Sequence, residues 1–275
     1  MNDTATPADV ALQVTSLRKD YGHIAAVNDV SFRLERGGSL AIVGESGSGK
    51  TTTAKMIMGL ETPTAGTIVA CGRDRSTPAR GSAERRRRGR ELQIVFQDPY
   101  SSLDPRQRIA DMLAEVLLIH HRHMTAPARA ARVEELLGLV GLTERHGRSL
   151  PSAMSGGQRQ RAAIARAIAA EPEIVILDES VAALDVSIQA QVLNLLADLR
   201  AELGISYLFI SHDLAVVRQI TDTIVVMRNG SIVEQGRTEE VLDAPQHPYT
   251  RLLRASVPRR GWDLRALREA VGTGG

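Results

Sequence analysis

The octapeptide Gly44-Glu45-Ser46-Gly47-Ser48-Gly49-Lys50-Thr51 narrows the possible folds more than any other part of the chain. It stands between the mostly apolar run Ser39–Val43 and a helix expected over about 50–60. A short run of that kind reads as a buried parallel strand. Glycines at 44, 47 and 49 free the backbone to turn its N–H groups inward, and a helix start adds about half a positive charge. Strand, tight loop and helix N-terminus in that order make a cradle for phosphate oxygens. There Lys50 reaches the β- and γ-phosphates of a nucleotide such as ATP, and the Thr51 hydroxyl is offered to Mg²⁺. Thr52 follows in the same first turn.

A second apolar run, Ile174-Val175-Ile176-Leu177, ends in two carboxylates, Asp178 and Glu179. A strand that stops there leaves a carboxylate at the carboxyl edge of the sheet, where open α/β sheets bind ligands. Asp178 is expected to hold Mg²⁺, directly or through water. Glu179 is then expected to polarise the attacking water. Elsewhere Ser155-Gly156-Gly157-Gln158-Arg159-Gln160-Arg161 opens a helix running to about Ala169. Ser155 suits its N-cap, and the two glycines expose backbone donors to an approaching anion. The chain therefore carries two phosphate-seeking helix starts but one phosphate loop.

Around these motifs the patterning is α/β. Segments 12–21 and 27–35 alternate apolar with polar residues, as in a small antiparallel layer. Short runs at 67–71, 92–96, 207–210 and 223–227 read as further strands, and Asn229-Gly230 signals a hairpin. Helices are expected over Val186–Leu203, Leu214–Ile220 and most of 104–169. The fold expected is a mostly parallel core sheet with an antiparallel β layer and an inserted helical subdomain.

Composition removes some partners. With 34 Lys and Arg against 32 Asp and Glu, and 3% aromatics, there is neither a basic groove nor a stacking platform for nucleic acid. The single cysteine, Cys71, allows no intrachain disulfide and suits a reducing compartment. No run of 18 apolar residues occurs, and the start of the sequence does not read as a signal peptide. Any membrane role must therefore come through a partner.

The order of phosphate loop, SGGQ, LDE and Ser211-His212-Asp213 resembles the ATP-binding cassette (ABC) ATPases over about residues 12–236. The resemblance implies a P-loop NTPase of ABC type, with the cassette over 1–256, its helical subdomain over about 104–169, and a tail over 257–275. Two cassettes then pair head to tail, and Ser155, Gly156, Gly157 and Gln158 of one serve the ATP held by the other. Tyr21, in Lys19-Asp20-Tyr21-Gly22, matches the adenine-stacking aromatic, and Gln97 the glutamine that senses Mg²⁺ and the attacking water. His212 matches the histidine that contacts the γ-phosphate. The segment from Asp98 to Arg106 resembles the one that faces a transmembrane partner, and Ala183-Leu184-Asp185 the loop through which subunits sense each other. The chain departs from the pattern with Met154 in place of Leu, and with Ser180-Val181-Ala182 in place of a Pro at the first position and Ser or Thr at the third.

The tail Gln246-His247-Pro248-Tyr249-Thr250-Arg251-Leu252-Leu253 is similar to that of the dipeptide, oligopeptide and nickel importers. This implies an ATP-hydrolysing subunit, peripheral on the cytoplasmic face of the inner membrane. Its implied partners are transmembrane permease subunits, a second cassette (itself or a sister chain) and, indirectly, a solute-binding protein. Three features carry no functional expectation. His120, His121 and His123 read as a solvated loop between helices, and the run Arg85-Arg86-Arg87-Arg88 as a solvated face. Leu264, Leu267 and Val271 read as one apolar face packing on the body of the chain.

Overall fold

The computed structural model describes residues 9–96, 102–179 and 185–255. Gln97 to Ser101, residues 180–184 and everything from 256 onward lie outside the described residues. The expectations for Gln97, for Ser180-Val181-Ala182, for Ala183-Leu184 and for the apolar face at Leu264, Leu267 and Val271 fall there.

Six strands form the core sheet: β3 (Ser39–Val43), β6 (Leu92–Val95), β7 (Ile174–Asp178), β8 (Ser206–Ser211), β9 (Thr223–Arg228) and β10 (Ser231–Arg237). Their order is β10-β9-β3-β8-β7-β6, parallel except for the β9–β10 pair. All five residues of β3 are buried, yet alternation survives inside these apolar runs. Leu40, Ile42, Ile174, Ile176, Leu208 and Ile210 face one hydrophobic cluster. Their neighbours Ala41, Val43, Val175, Leu177, Tyr207 and Phe209 face the other. Period-two side chains on a sheet covered on both faces require this arrangement.

The first cluster is closed by α1 (Lys50–Met58) and by the antiparallel sheet β2-β1-β4-β5. That sheet comprises β1 (Val10–Tyr21), β2 (Ile24–Glu35), β4 (Ala65–Ala70) and the short β5 (Arg73–Asp74). The second cluster is closed by helices. Most of its helical side chains come from α3 (Ile109–His120), α4 (Ala126–Leu139), α6 (Gly156–Ile168), α7 (Val186–Leu203) and α8 (Leu214–Ile220), with Val241, Leu242 and Tyr249 added from the two C-terminal helices. Between α4 and α6 lies the single-turn α5 (Glu144–Gly147), and after β10 come α9 (Thr238–Asp243) and α10 (Pro248–Ala255). The hairpin at Asn229-Gly230 joins β9 to β10, with φ 50° and 80° at its two turn residues. That is the pairing of positive φ values that a two-residue type I′ turn demands.

Two parts of the chain differ from the sequence reading. The arginine-rich stretch contains α2 (Ser82–Glu91), which has no buried residue, so its run at 85–88 does lie at the surface. The histidines, however, do not form a solvated loop. His120 is the last residue of α3, and burial holds its pKa below the ordinary imidazole value. His121 is 2% exposed, with Nδ1 3.7 Å from Glu171, and only His123 of the three is exposed. Beside the end of α3, Glu171, in the turn before β7, has His121, Arg90 and Arg132 around one carboxylate. Cys71 is also enclosed, and burial, with the Glu173 carboxylate adding to it, pushes its thiol up to about 12.

The base of α2 depends on one buried cation. Arg75 is 4% exposed and ion-pairs with Glu91, which also takes Arg73 at 2.5 Å from the surface. Replacing Glu91 by Ala leaves the Arg75 guanidinium buried without its counter-charge, a loss of roughly 3–5 kcal/mol. Arg73→Ala, at an exposed partner, is expected to cost no more than about 1 kcal/mol. Urea unfolding of the two variants checks this contrast, and equal losses would refute it.

Candidate functional site

Strand register assembles the site. Val43 pairs with Ser211, and Asp178 with Ile210. The glycine-rich loop after β3, the Asp178-Glu179 pair at the end of β7 and His212 after β8 therefore meet at one carboxyl edge of the sheet. Arg200 keeps β3 in place from its other end, donating through Nε to Gly37 O at 2.7 Å and through a terminal nitrogen to Ser39 Oγ at 2.8 Å.

The loop is shaped by close backbone approaches. Gly44 has φ 153°, and a Cβ there would lie 2.2 Å from the Met227 carbonyl oxygen. Gly49 has φ 103°, and a Cβ would lie 2.6 Å from the Ala26 carbonyl oxygen. Behind the loop the hairpin turn donates, Gly230 N–H to Ser48 O at 3.0 Å. Gly47, at φ 81°, meets nothing within 4 Å and faces open space.

A cavity of about 540 Å³ opens in front of the loop, lined by Ala26, Ser46, Gly47, Gly49, Lys50, Thr51, Thr52, Glu179 and His212. This volume falls within the roughly 300–1,000 Å³ common for small-molecule sites. Lys50 is 6% exposed, and its Nζ donates to Gly44 O at 2.7 Å and Glu45 O at 2.8 Å. Burial lowers its pKa, against the pull of the Glu179, Asp178 and Glu45 carboxylates. Burial, then the like charge of Glu179, raises the pKa of Asp178. The backbone of Glu179 is left-handed at φ 46°, an arrangement costing about 1–2 kcal/mol for a side chain with Cβ. Its N–H is nonetheless bonded to Ile210 O at 2.9 Å, and its Oε1 lies 3.0 Å from His212 Nδ1.

The other expected residues stand apart from this cavity. Gly44, Glu45, Ser48 and Asp178 adjoin it in the chain without lining it. Tyr21 is 47% exposed at the end of β1, with the Lys19 ammonium 5.0 Å from its ring centre. Ser155 is the N-cap of α6, as expected from the sequence. Its Oγ accepts from Gln158 N–H at 3.3 Å, and Gln158 Oε1 accepts from Ser155 N–H at 2.9 Å. Gly157 is required by packing, because a Cβ would come 2.6 Å from Ile188 Cγ2. Neither Gly156 nor Gly157 lines the cavity.

Comparison with known proteins gives this arrangement a family. Residues 27–182 match the family described as "ABC transporter", and residues 233–273 match "Oligopeptide/dipeptide transporter, C-terminal region". The chain belongs to the ABC transporter family. It is 44% identical over 254 residues to the oligopeptide transport ATP-binding protein OppF of Bacillus subtilis, covering 90% of this chain and 82% of that one. It is 49% identical over 243 residues to OppD of Mycobacterium tuberculosis, covering 88% of this chain, but it spans only 39% of that relative's length. Among solved structures, the dimeric ATP-binding cassette MJ0796 in a post-hydrolysis state, bound to ADP and Pi, superimposes with a TM-score of 0.72 at 27% identity. The superposition covers 82% of this chain and 98% of that one. The parallel core with its antiparallel layer is thus the ABC-cassette form of the α/β P-loop fold.

Two residues at the site had not been marked for it. Ala26 takes part through its backbone carbonyl, so its residue type carries no signal. Tyr249, read only as part of the tail, accepts a hydrogen bond from the Glu45 N–H at 2.9 Å.

Gly49→Ala places a Cβ against the Ala26 carbonyl at unfavourable φ and is expected to cost roughly 2–4 kcal/mol. Gly47→Ala meets open space and should cost only about 1 kcal/mol from its φ. Urea unfolding separates the two. A pH effect follows from Asp178. Its raised pKa means that stability present below the unfolded-state value is lost as pH rises through the folded-state value. Glu179→Gln removes the like charge, so it should lower the Asp178 pKa and shrink the stability lost at Asp178 as pH rises, while the lost support of Lys50 adds a penalty that does not vary across that range. Carboxyl ¹³C titration and unfolding across pH check both signs.

Proposed function

We propose that this chain is the ATP-binding and ATP-hydrolysing subunit of an ABC importer carrying peptides, a related small solute or nickel. The observation that carries the reading is the convergence of the phosphate loop, Glu179 and His212 on one cavity. Family membership, the match of residues 233–273 and the likeness to oligopeptide transport ATP-binding proteins supply the transport context. The cassette is taken as 1–256, with a helical subdomain over about 104–169 and a tail over 257–275.

In this reading the loop from Gly44 to Thr52 holds the phosphates and Tyr21 stacks on the adenine. Lys50, now bonded to two loop carbonyls, exchanges them for phosphate oxygens, which restores a counter-charge to a buried ammonium. The residues suit Mg²⁺, a hard cation that takes one or two protein oxygens and otherwise phosphate and water. Thr51 offers an exposed hydroxyl, and Asp178 is a carboxylate whose pKa is raised by burial and by the like charge of Glu179, both of which a bound cation would offset. Gln97 belongs to the same set. The metal supplies charge neutralisation along the phosphates. Glu179 accepts a hydrogen bond from the attacking water, and His212 orients Glu179 before meeting the γ-phosphate. The products are ADP and inorganic phosphate.

Ser155, Gly156, Gly157 and Gln158 do not line the chain's own cavity, which favours their use on the ATP of a second cassette, itself or a sister chain. The dimeric state of MJ0796 accords with such pairing. Family membership leads the reading to place the chain on the cytoplasmic face of the inner membrane beside permease subunits. Among the described residues no helix is long and apolar enough to cross a membrane. A solute-binding protein acts at one remove.

Lys50→Ala is expected to abolish ATP binding, and unchanged affinity by calorimetry would sink the phosphate-loop assignment. Glu179→Gln should bind ATP yet lose at least about 10²-fold in hydrolysis, trapping the paired state. Affinity isolation of that variant from solubilised native membranes with ATP should bring down multi-span membrane proteins. Recovery of soluble proteins alone would remove the transport claim and leave the ATPase.

A further inference from the structure

The hydrogen bond from Glu45 N–H to Tyr249 Oη joins residues 204 positions apart. Tyr249 belongs to α10, within the segment that matches the oligopeptide/dipeptide C-terminal region. It is 2% exposed, and the Arg228 guanidinium lies 4.9 Å from its ring centre. Arg228 ends β9, one residue before the turn whose Gly230 N–H bonds Ser48 O. The phosphate loop is therefore tied at two points, Glu45 and Ser48. Between the ties lie Ser46 and Gly47, both exposed and both lining the cavity. Neither Glu45 nor Tyr249 lines it, so the tie acts without occupying ligand space.

The far end of this tie is itself fixed. The Glu234 carboxylate of β10 accepts from Gln246 N–H at 2.8 Å and His247 N–H at 3.1 Å. His247 Nδ1 accepts from Tyr249 N–H at 3.1 Å, and Arg251 Nε donates to Pro245 O at 3.0 Å. Two bonds to Glu234 thus hold the entry to α10 against the core sheet, and two local bonds shape the turn that carries the Tyr249 ring.

We infer that Tyr249 is a positioning residue for the phosphate loop, through which the C-terminal helix holds the loop in its nucleotide-receiving conformation. The inference deepens the nucleotide reading given above and rests on it. A loop with three glycines at positive φ has many alternative conformations. Apparent affinity falls in proportion to the competent fraction, so loosening one tie weakens ATP binding and leaves the chemical step alone.

Tyr249→Phe removes the hydroxyl and keeps the ring under Arg228, so the full chain should remain folded. In nucleotide-free protein the Glu45 amide is expected to exchange about tenfold faster, measured residue by residue by NMR. ATP affinity and KM are expected to weaken about three- to tenfold, with kcat at saturating ATP within about twofold of wild type. A purely structural tyrosine would leave that split between KM and kcat absent. Unchanged exchange at Glu45, or faster exchange with unchanged ATP affinity, overturns the inference. Failure of the wild-type chain to bind ATP would instead sink the nucleotide reading, and this inference with it.

Discussion

Val43 opposite Ser211 and Asp178 opposite Ile210 is the alignment on which the rest of the molecule depends. Three parallel strands end level with one another, so three chain segments far apart in sequence deliver their polar residues to one place. A one-residue slip of β7 would exchange its two faces. It would turn Val175 and Leu177 away from the helices and carry Asp178 off the edge. Both faces of the sheet are buried in hydrophobic clusters, which makes such a slip costly. The apolar residues of these strands therefore act on chemistry through register, although none of them touches a ligand site.

Around this edge the electrostatics are left unbalanced. Lys50 is a buried ammonium that donates to two backbone carbonyls and, at 3.4 Å, to the Ser48 hydroxyl, and burial works against its charge. Asp178 is a half-buried carboxyl working against both its surroundings and Glu179. Each would be relieved by a charged ligand, the first by phosphate oxygens and the second by a cation. A complex of polyphosphate and metal satisfies both at once, which is why the two opposed shifts support one ligand better than either does alone.

How much of this was legible in the sequence depended on whether a feature is written in side chains. The strand Ser39–Val43 and the helices Val186–Leu203 and Leu214–Ile220 have the bounds that patterning gave them, and Ser155 is the cap its residue type suggested. The loop glycines could be read as freedom to turn. Their closest constraints could not, because the atoms pressing on Gly44 and Gly49 are carbonyl oxygens of Met227 and Ala26. Any residue supplies a carbonyl, so no residue type marks those positions. The histidines at 120 and 121 were misjudged for a related reason. His121 lies beside Glu171, a residue about 50 positions later that also gathers Arg90 and Arg132 (an encounter set by the fold, which leaves no local pattern).

The same backbone contacts change how the antiparallel layer and the tail should be viewed. Ala26 lies on β2, Met227 on β9, Gly230 in the hairpin and Tyr249 on the last described helix. All four meet the phosphate loop or its flanking glycines. A glycine-rich loop has little stiffness of its own, since its residues lose more conformational freedom on ordering than any others. Its shape must therefore be imposed by neighbours, and here they come from both sheets and from the C-terminal segment. By contrast, the start of α6 is ordered from within, through the reciprocal bonds of Ser155 and Gln158 and the packing of Gly157 on Ile188. Ser155 already satisfies one of the four donors that a helix start leaves open. A helix end that is finished internally and stands away from its own chain's cavity can meet a ligand only as that ligand arrives, which is the behaviour that head-to-tail pairing of two cassettes would require of it.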